Sequence, residues 1–148
     1  MFWIERDDFM ALDIPIPFET IENEQEKTSR TYKIDWNKGR IIGFVDGQEA
    51  MNQYIKKAIL TPRFKCLIYS SQYGSEIIST LIDKDVTREY IEAEIPFLVT
   101  DTLIHDPRVL RVYNIGIEFK DTYPMRDSCI ITFDVDTIYG EIPVKEVV

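Results

Sequence analysis

The sequence has little of what catalysis and metal binding usually require. Its 148 residues include one histidine, His105, two cysteines, Cys66 and Cys129, and six scattered glycines. A four-ligand zinc site would have to recruit carboxylates, and the glycines form no phosphate-binding loop. We therefore expect neither a metal nor a cofactor.

Long apolar runs and positive charge are also scarce. Apolar runs of a few residues cannot span a bilayer, and residues 1–8 carry carboxylates where a secretory signal needs lysines and an apolar core. Lysine and arginine total 17 against 26 acids, a net charge of −9, which disfavours nucleic acid and anionic lipid as partners. With 45% apolar and 29% charged residues, the chain is expected to be one acidic globular domain in the cytoplasm.

The first 29 residues differ from the rest. Residues 1–30 hold eight acids and three bases, a net charge of −5, and Pro15 and Pro17 stiffen this part of the chain. We interpret residues 1–29 as an acidic, partly apolar N-terminal arm and linker, followed by a single domain over residues 30–148. The arm has too many apolar residues to serve only as a solubility tail. They pack either on the protein's own core or on a neighbouring subunit.

Residues 32–62 have a clear pattern. Tyr32, Ile34 and Trp36 alternate with polar residues, a turn with Gly39 follows at residues 37–39, and aromatic and β-branched residues resume at 41–44. This pattern predicts a β-hairpin. Asp46 with Glu49 has the form of a capping box, and apolar residues then recur at helical spacing. Pro62 would end this helix.

The remaining elements are predicted from similar signals. Residues 64–70 are an apolar run that predicts a short strand, and residues 75–82 and 87–104 predict helices, the second with a kink or a break at Pro96. Residues 109–148 alternate as strands, with Pro143 typical of an edge strand. The predicted fold class is α+β: an N-terminal β-hairpin, two to three helices, then a C-terminal antiparallel β-meander.

Few residues suggest chemistry. His105 follows a predicted helix end, where histidine more often caps the helix or lies on the surface than acts as a base. Cys66 and Cys129 lie in apolar runs and are expected to be small buried hydrophobes.

Carboxylates are numerous enough to allow a glycosidase-like pair. Asp134 and Asp136 lie two apart on a predicted strand and could share a cation, although a solvated face is more typical. Glu76 is the candidate for one carboxylate of such a pair in a peptidoglycan hydrolase. Its possible second members are Asp83, Asp101 and Asp106.

An ordered set of short segments spans about four fifths of the chain. The segments are Arg30-Thr31-Tyr32, Asp35-Trp36, Asp46-Gly47-x-Glu49-Ala50-x-x-Gln53, Ile59-Leu60-Thr61-Pro62-Arg63-Phe64, Ile68-Tyr69-Ser70, Tyr73-Gly74 and Thr137-Ile138-Tyr139-Gly140-Glu141-Ile142. In this order they resemble contractile-tail baseplate proteins of Bacillus-type phages and defective prophages, the XkdS type. That family is similar to the wedge protein that starts the tail sheath and to type VI secretion baseplate proteins.

The resemblance implies a partner-binding site. The wider superfamily carries a Glu-Pro-Arg motif after its last long helix, and the matching place here reads Asp106, Pro107 and Arg108, with the acid one methylene shorter. The motif is associated with attachment to the helical core of the baseplate wedge. The other interpretation is an internal cap in which Arg108 pairs with a local acid, and one arginine could do both.

The resemblance also implies a function. Sheath subunits share strands, so the wedge protein would offer an open sheet edge, expected at residues 109–119 and 129–135, with Pro143 and Lys145 protecting the last strand. The chain would be a non-enzymatic structural subunit in several copies per particle. It would bind wedge and sheath proteins, first in the bacterial cytoplasm and then in the virion or phage-like particle. The alternatives are a tail-associated peptidoglycan hydrolase and a small adaptor unrelated to phage.

Overall fold

The chain is described here by a computed structural model for residues 29–83, 85–122 and 128–148. The predicted arm lies outside the described residues except for Ser29. In chain order the elements are β1 (Thr31–Asp35), β2 (Arg40–Val45), α1 (Gly47–Leu60), α2 (Ile77–Ile82), α3 (Arg88–Leu103), β3 (Val109–Lys120), β4 (Ser128–Thr137) and β5 (Gly140–Val147).

The strands form two separate antiparallel sheets. β1 and β2 make the N-terminal hairpin, and β3, β4 and β5 make a second sheet in that order, which does not close. The predicted α+β class is therefore confirmed, and the three helices follow the first sheet and precede the second in the sequence. No helix within the described ranges is long and apolar enough to cross a membrane.

Helix α1 begins and ends where its sequence signals predict. Asp46 has an extended backbone and accepts a hydrogen bond from the Gly47 N–H at 2.7 Å. Glu49 does not complete the capping box but forms an ion pair with Lys33 of β1. The helix ends before Pro62, and its apolar face is buried.

Helix α3 begins at the start of its predicted range, with Thr87 as its N-cap, and passes through its proline. The Thr87 side chain accepts a hydrogen bond from the Tyr90 N–H at 3.3 Å. The break considered at Pro96 is absent, because one helix runs from Arg88 to Leu103. Proline removes one hydrogen bond to the carbonyl four residues earlier. That carbonyl belongs to Glu92, an exposed residue, which leaves water to hydrate it.

The predicted strand at residues 64–70 is wrong. These residues form turns, and the only pairing nearby is an isolated bridge between Pro62 and Ser75. Phe64 has a φ of 65°, which turns the chain out of an extended path. The run is apolar but has no period of two, so it offers no face to a sheet, and Leu67 and Ile68 are exposed.

The hydrophobic core lies between the helices and one face of the C-terminal sheet. Helix α1 packs against β5, and α3 packs against β3. Cys129 is buried in β4, as predicted, whereas Cys66 is half-buried in the loop before α2. The fully buried side chains that join the two layers include Met51, Ile55, Ile59, Ile95, Leu103, Ile131 and Val135.

The loop before α2 depends on Gly74. Gly74 has a φ of +95°, and an added Cβ would lie 2.7 Å from the Thr61 carbonyl oxygen. We expect Gly74→Ala to lower the free energy of unfolding by about 2 kcal/mol or more, from strain plus the clash. Gly39→Ala is the control, since Gly39 also has positive φ but nothing within 4 Å of its Cβ position. Urea denaturation measures both, and equal losses would contradict the clash.

Candidate functional site

Residues 106–108 form a fixed turn between α3 and β3. The Asp106 N–H donates to the Leu103 carbonyl at 3.2 Å, and the Asp106 carbonyl accepts from the Val109 N–H at 3.0 Å. Pro107 is exposed at the tip of the turn. The turn therefore holds the two charged side chains of the predicted motif in one place.

Asp106 and Arg108 bind each other through three hydrogen bonds. Asp106 Oδ1 accepts from the Arg108 N–H and Nε, both at 2.9 Å, and Oδ2 accepts from Nη2 at 2.7 Å. Burial alone would raise the pKa of Asp106, but the hydrogen bonds from Arg108 outweigh burial and lower it. The local pairing considered as one of the two interpretations is therefore present, and the shorter aspartate suffices for it.

Tyr54 of α1 completes the site and was not identified from the sequence. The Arg108 guanidinium carbon lies 5.2 Å from the centroid of the Tyr54 ring. Burial and the nearby Asp106 charge raise the pKa of Tyr54 to about 12, so its hydroxyl stays protonated at neutral pH. Tyr54 precedes Arg108 by 54 residues, and the helical pattern predicted only that it faces the core.

A cavity of about 270 Å³ adjoins Arg108. Its lining includes three basic side chains, those of Arg30, Lys57 and Arg108, together with Gln53 and Tyr54. Its charge suits a carboxylate or carbonyl group of another molecule.

The order of the sheet corrects one predicted edge. Residues 129–135 lie in β4, which pairs with β3 on one side and β5 on the other. They are not an open edge because both sides of the strand are occupied. β5 is an edge strand, as Pro143 predicted.

The outer edge of β5 is partly blocked. Cys129 and Val148 exchange two backbone hydrogen bonds of 2.9 Å. Because antiparallel bonding alternates along a strand, Glu141, Pro143 and Lys145 direct their backbone groups outward. Pro143 has no N–H, and the Glu141 carbonyl accepts from Gln48 Nε2 at 3.1 Å.

The outer edge of β3 is longer and less obstructed. The same alternation directs the backbone groups of Glu118 toward β4 and those of Ile117 and Phe119 outward. None of the described strands pairs with this edge. A bulge at Asn114, with a φ of 53°, interrupts it. The Asn114 side chain donates to Asp134 at 2.9 Å.

The candidate catalytic carboxylates have other partners. Asp101 pairs with Arg63, whose hydrogen bond lowers the pKa of Asp101, and His105 Nε2 lies 3.4 Å from Asp101 Oδ1. A general acid needs a raised pKa, whereas those of Asp101 and Asp106 are lowered.

The remaining candidates are Glu76 and Asp83, which flank α2, and Asp134 and Asp136, which lie on β4. The Glu76 side chain makes no cap hydrogen bond at α2, and Asp83 follows that helix. Asp136 binds Arg111 at 2.7 Å rather than sharing a site with Asp134. In the part of the chain that the structure describes, no three His, Cys, Asp or Glu side chains are grouped as metal ligands.

Comparison with known proteins gives the family. Residues 30–140 match the family described as contractile injection system sheath initiator. The chain belongs to the sheath initiator family. It is also 37% identical over 142 residues to Phage-like element PBSX protein XkdS of Bacillus subtilis (strain 168), which covers 94% of this chain and 97% of that protein. The resemblance inferred from the ordered segments is confirmed, and the chain is a sheath initiator of the contractile injection system type.

The Asp106–Arg108 pair predicts a pH dependence of stability. Because the pKa of Asp106 is lowered by folding, its ionised form stabilises the protein above its unfolded pKa, and this contribution is lost as pH falls through the folded pKa. We expect Asp106→Asn to lower the free energy of unfolding by about 1–2 kcal/mol at pH 7, with a smaller difference below about pH 4. Urea denaturation at pH 7 and pH 3 tests this.

The control for that experiment is Glu92→Gln, which removes an exposed carboxylate of α3. It is expected to change stability by less than about 0.5 kcal/mol at both pH values. A deficit in Asp106→Asn that is the same at pH 7 and pH 3 would contradict the role given to the ionised carboxylate.

Proposed function

We propose that this sheath initiator is a non-enzymatic structural subunit that joins the baseplate wedge core to the first sheath ring. The observation that most directly supports this proposal is the family match over residues 30–140. The proposal divides the chain into an arm over residues 1–29 and one domain over residues 30–148. Several copies would assemble in the bacterial cytoplasm and then remain in the virion or phage-like particle.

The proposed wedge contact is the turn of Asp106, Pro107 and Arg108. Asp106 engages Nε and Nη2 of Arg108, so Nη1 is the atom we assign to a carbonyl or carboxylate of a wedge protein. The basic lining of the adjoining cavity supports this assignment, because Arg30 and Lys57 add positive charge beside Arg108. Pro107 is exposed and fixes the backbone at the point of contact.

The proposed sheath contact is the outer edge of β3. A strand from a sheath subunit would pair with the outward backbone groups of Ile117 and Phe119. The partial blocking of β5 by Pro143 and Gln48 supports the choice of β3 over β5. Exposed edges are normally protected against such pairing. An edge that stays unpaired beyond its bulge, at Ile117 and Phe119, suits a subunit whose role is to accept a strand.

The wedge contact is tested by recovery of tail proteins with a tagged chain from cells that express the whole tail cluster. We expect Arg108→Ala to lose most of the wedge protein, because both the guanidinium and its positive charge are removed. Asp106→Asn is the matched control: it weakens the same internal pair but keeps Arg108 available. If both variants recover the same amount of wedge protein, residues 106–108 have only an internal structural role. If the unaltered chain recovers no tail proteins, the proposed function is wrong.

The sheath contact is tested at Ile117. Ile117→Pro removes the outward N–H together with the side chain, whereas Ile117→Ala removes most of the side chain and keeps the N–H. We expect about a tenfold weaker association with purified sheath protein for the proline variant than for the alanine variant, since strand addition depends on main-chain hydrogen bonds. Circular dichroism verifies that both variants fold, and equal affinity of the two would exclude this edge as the acceptor.

A further inference from the structure

The hairpin of β1 and β2 exposes an unusual amount of apolar surface. A two-stranded sheet alone is marginally stable in water, and exposed apolar patches on a protein surface mark contact sites. Tyr32 and Phe44 stack with ring centroids 5.1 Å apart, and both are more than half exposed. The exposed fractions of the large apolar side chains are 58% for Tyr32, 44% for Trp36, 62% for Ile41, 50% for Ile42 and 59% for Phe44.

One edge of the hairpin is occupied and the other is open. Gln53 of α1 accepts from the Ile34 N–H at 2.9 Å and donates to the Tyr32 carbonyl at 2.7 Å. The outer edge of β1 is thus held by α1. Phe44 lies opposite Tyr32, whose carbonyl faces away from β2, so the alternation of antiparallel bonding directs the backbone groups of Phe44 away from β1. The register shifts at Ile42, which has no partner in β1, and no described strand pairs with this edge of β2.

We infer that residues 12–18 of this same chain add to the outer edge of β2 as a third strand. This segment reads Leu-Asp-Ile-Pro-Ile-Pro-Phe, with apolar side chains at 12, 14, 16 and 18 and prolines at 15 and 17. In a strand, side chains and backbone donors both alternate. The missing N–H groups of the prolines therefore fall on one edge, and the donors of the even-numbered residues fall on the other.

Such a segment can pair on one side only, as an edge strand does. Each proline also biases the residue before it, Ile14 or Ile16, toward extended backbone. Its four apolar side chains share one face and would cover the stacked rings of Tyr32 and Phe44. The segment therefore fits a sheet that has one open edge and one apolar face whose aromatic rings are more than half exposed, although the Arg30 guanidinium lies 4.7 Å from the centroid of the Phe44 ring.

The opposite charges of the N-terminal arm and the hairpin also favour the arm as the third strand. Residues 1–28 contain eight acids and two bases, a net charge of −6, whereas residues 29–45 contain four bases and one acid, a net charge of +3. Opposite charge steers the two segments together and disfavours pairing between two hairpins.

The connection is long enough. Ser29 is buried, donates to the Asp46 side chain and accepts from the Gly47 N–H at 2.9 Å, so the chain enters at the base of the hairpin, where Thr31 lies opposite Val45. The ten residues 19–28 can span about 33 Å, and a six-residue strand such as β2 is about 20 Å long. A tethered segment with this reach acts at a high effective concentration, which favours the chain's own arm over another copy's.

Amide hydrogen exchange on the full chain tests the inference. Ile14→Asp with Ile16→Asp places two carboxylates on the apolar face of the segment. Pro15→Asp with Pro17→Asp places the same number on the opposite face and is the matched control. We expect the amides of residues 41–45 to exchange about tenfold faster in the first variant than in the unaltered chain, while the control retains the slow exchange.

The outcomes separate the possible occupants. Protection that does not change with protein concentration, in a chain that light scattering shows to be monomeric, supports the chain's own arm. Protection that rises with concentration together with a dimer assigns the edge to a second copy and overturns the inference. Equal exchange in all three proteins also overturns it. The result is independent of the proposed sheath contact, since no partner is present.

Discussion

The structure depends on helix α1, because the two sheets share no strand and α1 packs against both. Its apolar face packs into the core with Met51, Ile55 and Ile59 fully buried. Its polar side chains reach each sheet: Gln48 binds the Glu141 carbonyl of β5, and Gln53 binds Tyr32 and Ile34 of β1. Anything that moves α1 would therefore move the hairpin, the C-terminal sheet and Tyr54 together.

The two glutamines have a consequence for assembly. Each satisfies backbone groups at one outer edge, β1 for Gln53 and β5 for Gln48, so the described chain retains two strand edges without such a partner, those of β2 and β3. Open edges invite pairing with other chains. We assign β3 to a sheath strand and β2 to the chain's own arm, which lets the subunit accept a foreign strand at one place while its second edge is covered.

Local sequence signals predicted the elements whose cause is local. Asp46 precedes the first turn of α1 and Pro62 follows its end, and Thr87 caps α3. Alternation of apolar and polar residues predicts β1 and the C-terminal strands. The strand prediction for residues 64–70 is wrong because an apolar composition without a period of two does not distinguish a strand from an apolar loop. The open edge that the resemblance implied at residues 129–135 is wrong. Alternation indicates a strand but not its position in a sheet, which only long-range pairing decides.

The site divides in the same way. Asp106 and Arg108 are two residues apart, so their pairing was foreseeable, whereas the contact of Arg108 with Tyr54 joins distant parts of the chain and has no sequence signal. This internal pairing need not compete with a partner contact. A guanidinium already held by Asp106 and by the Tyr54 ring loses little side-chain freedom on binding, and that loss is a main cost of ordering an interface. The internal pair therefore prepares Arg108 for the wedge contact proposed for it.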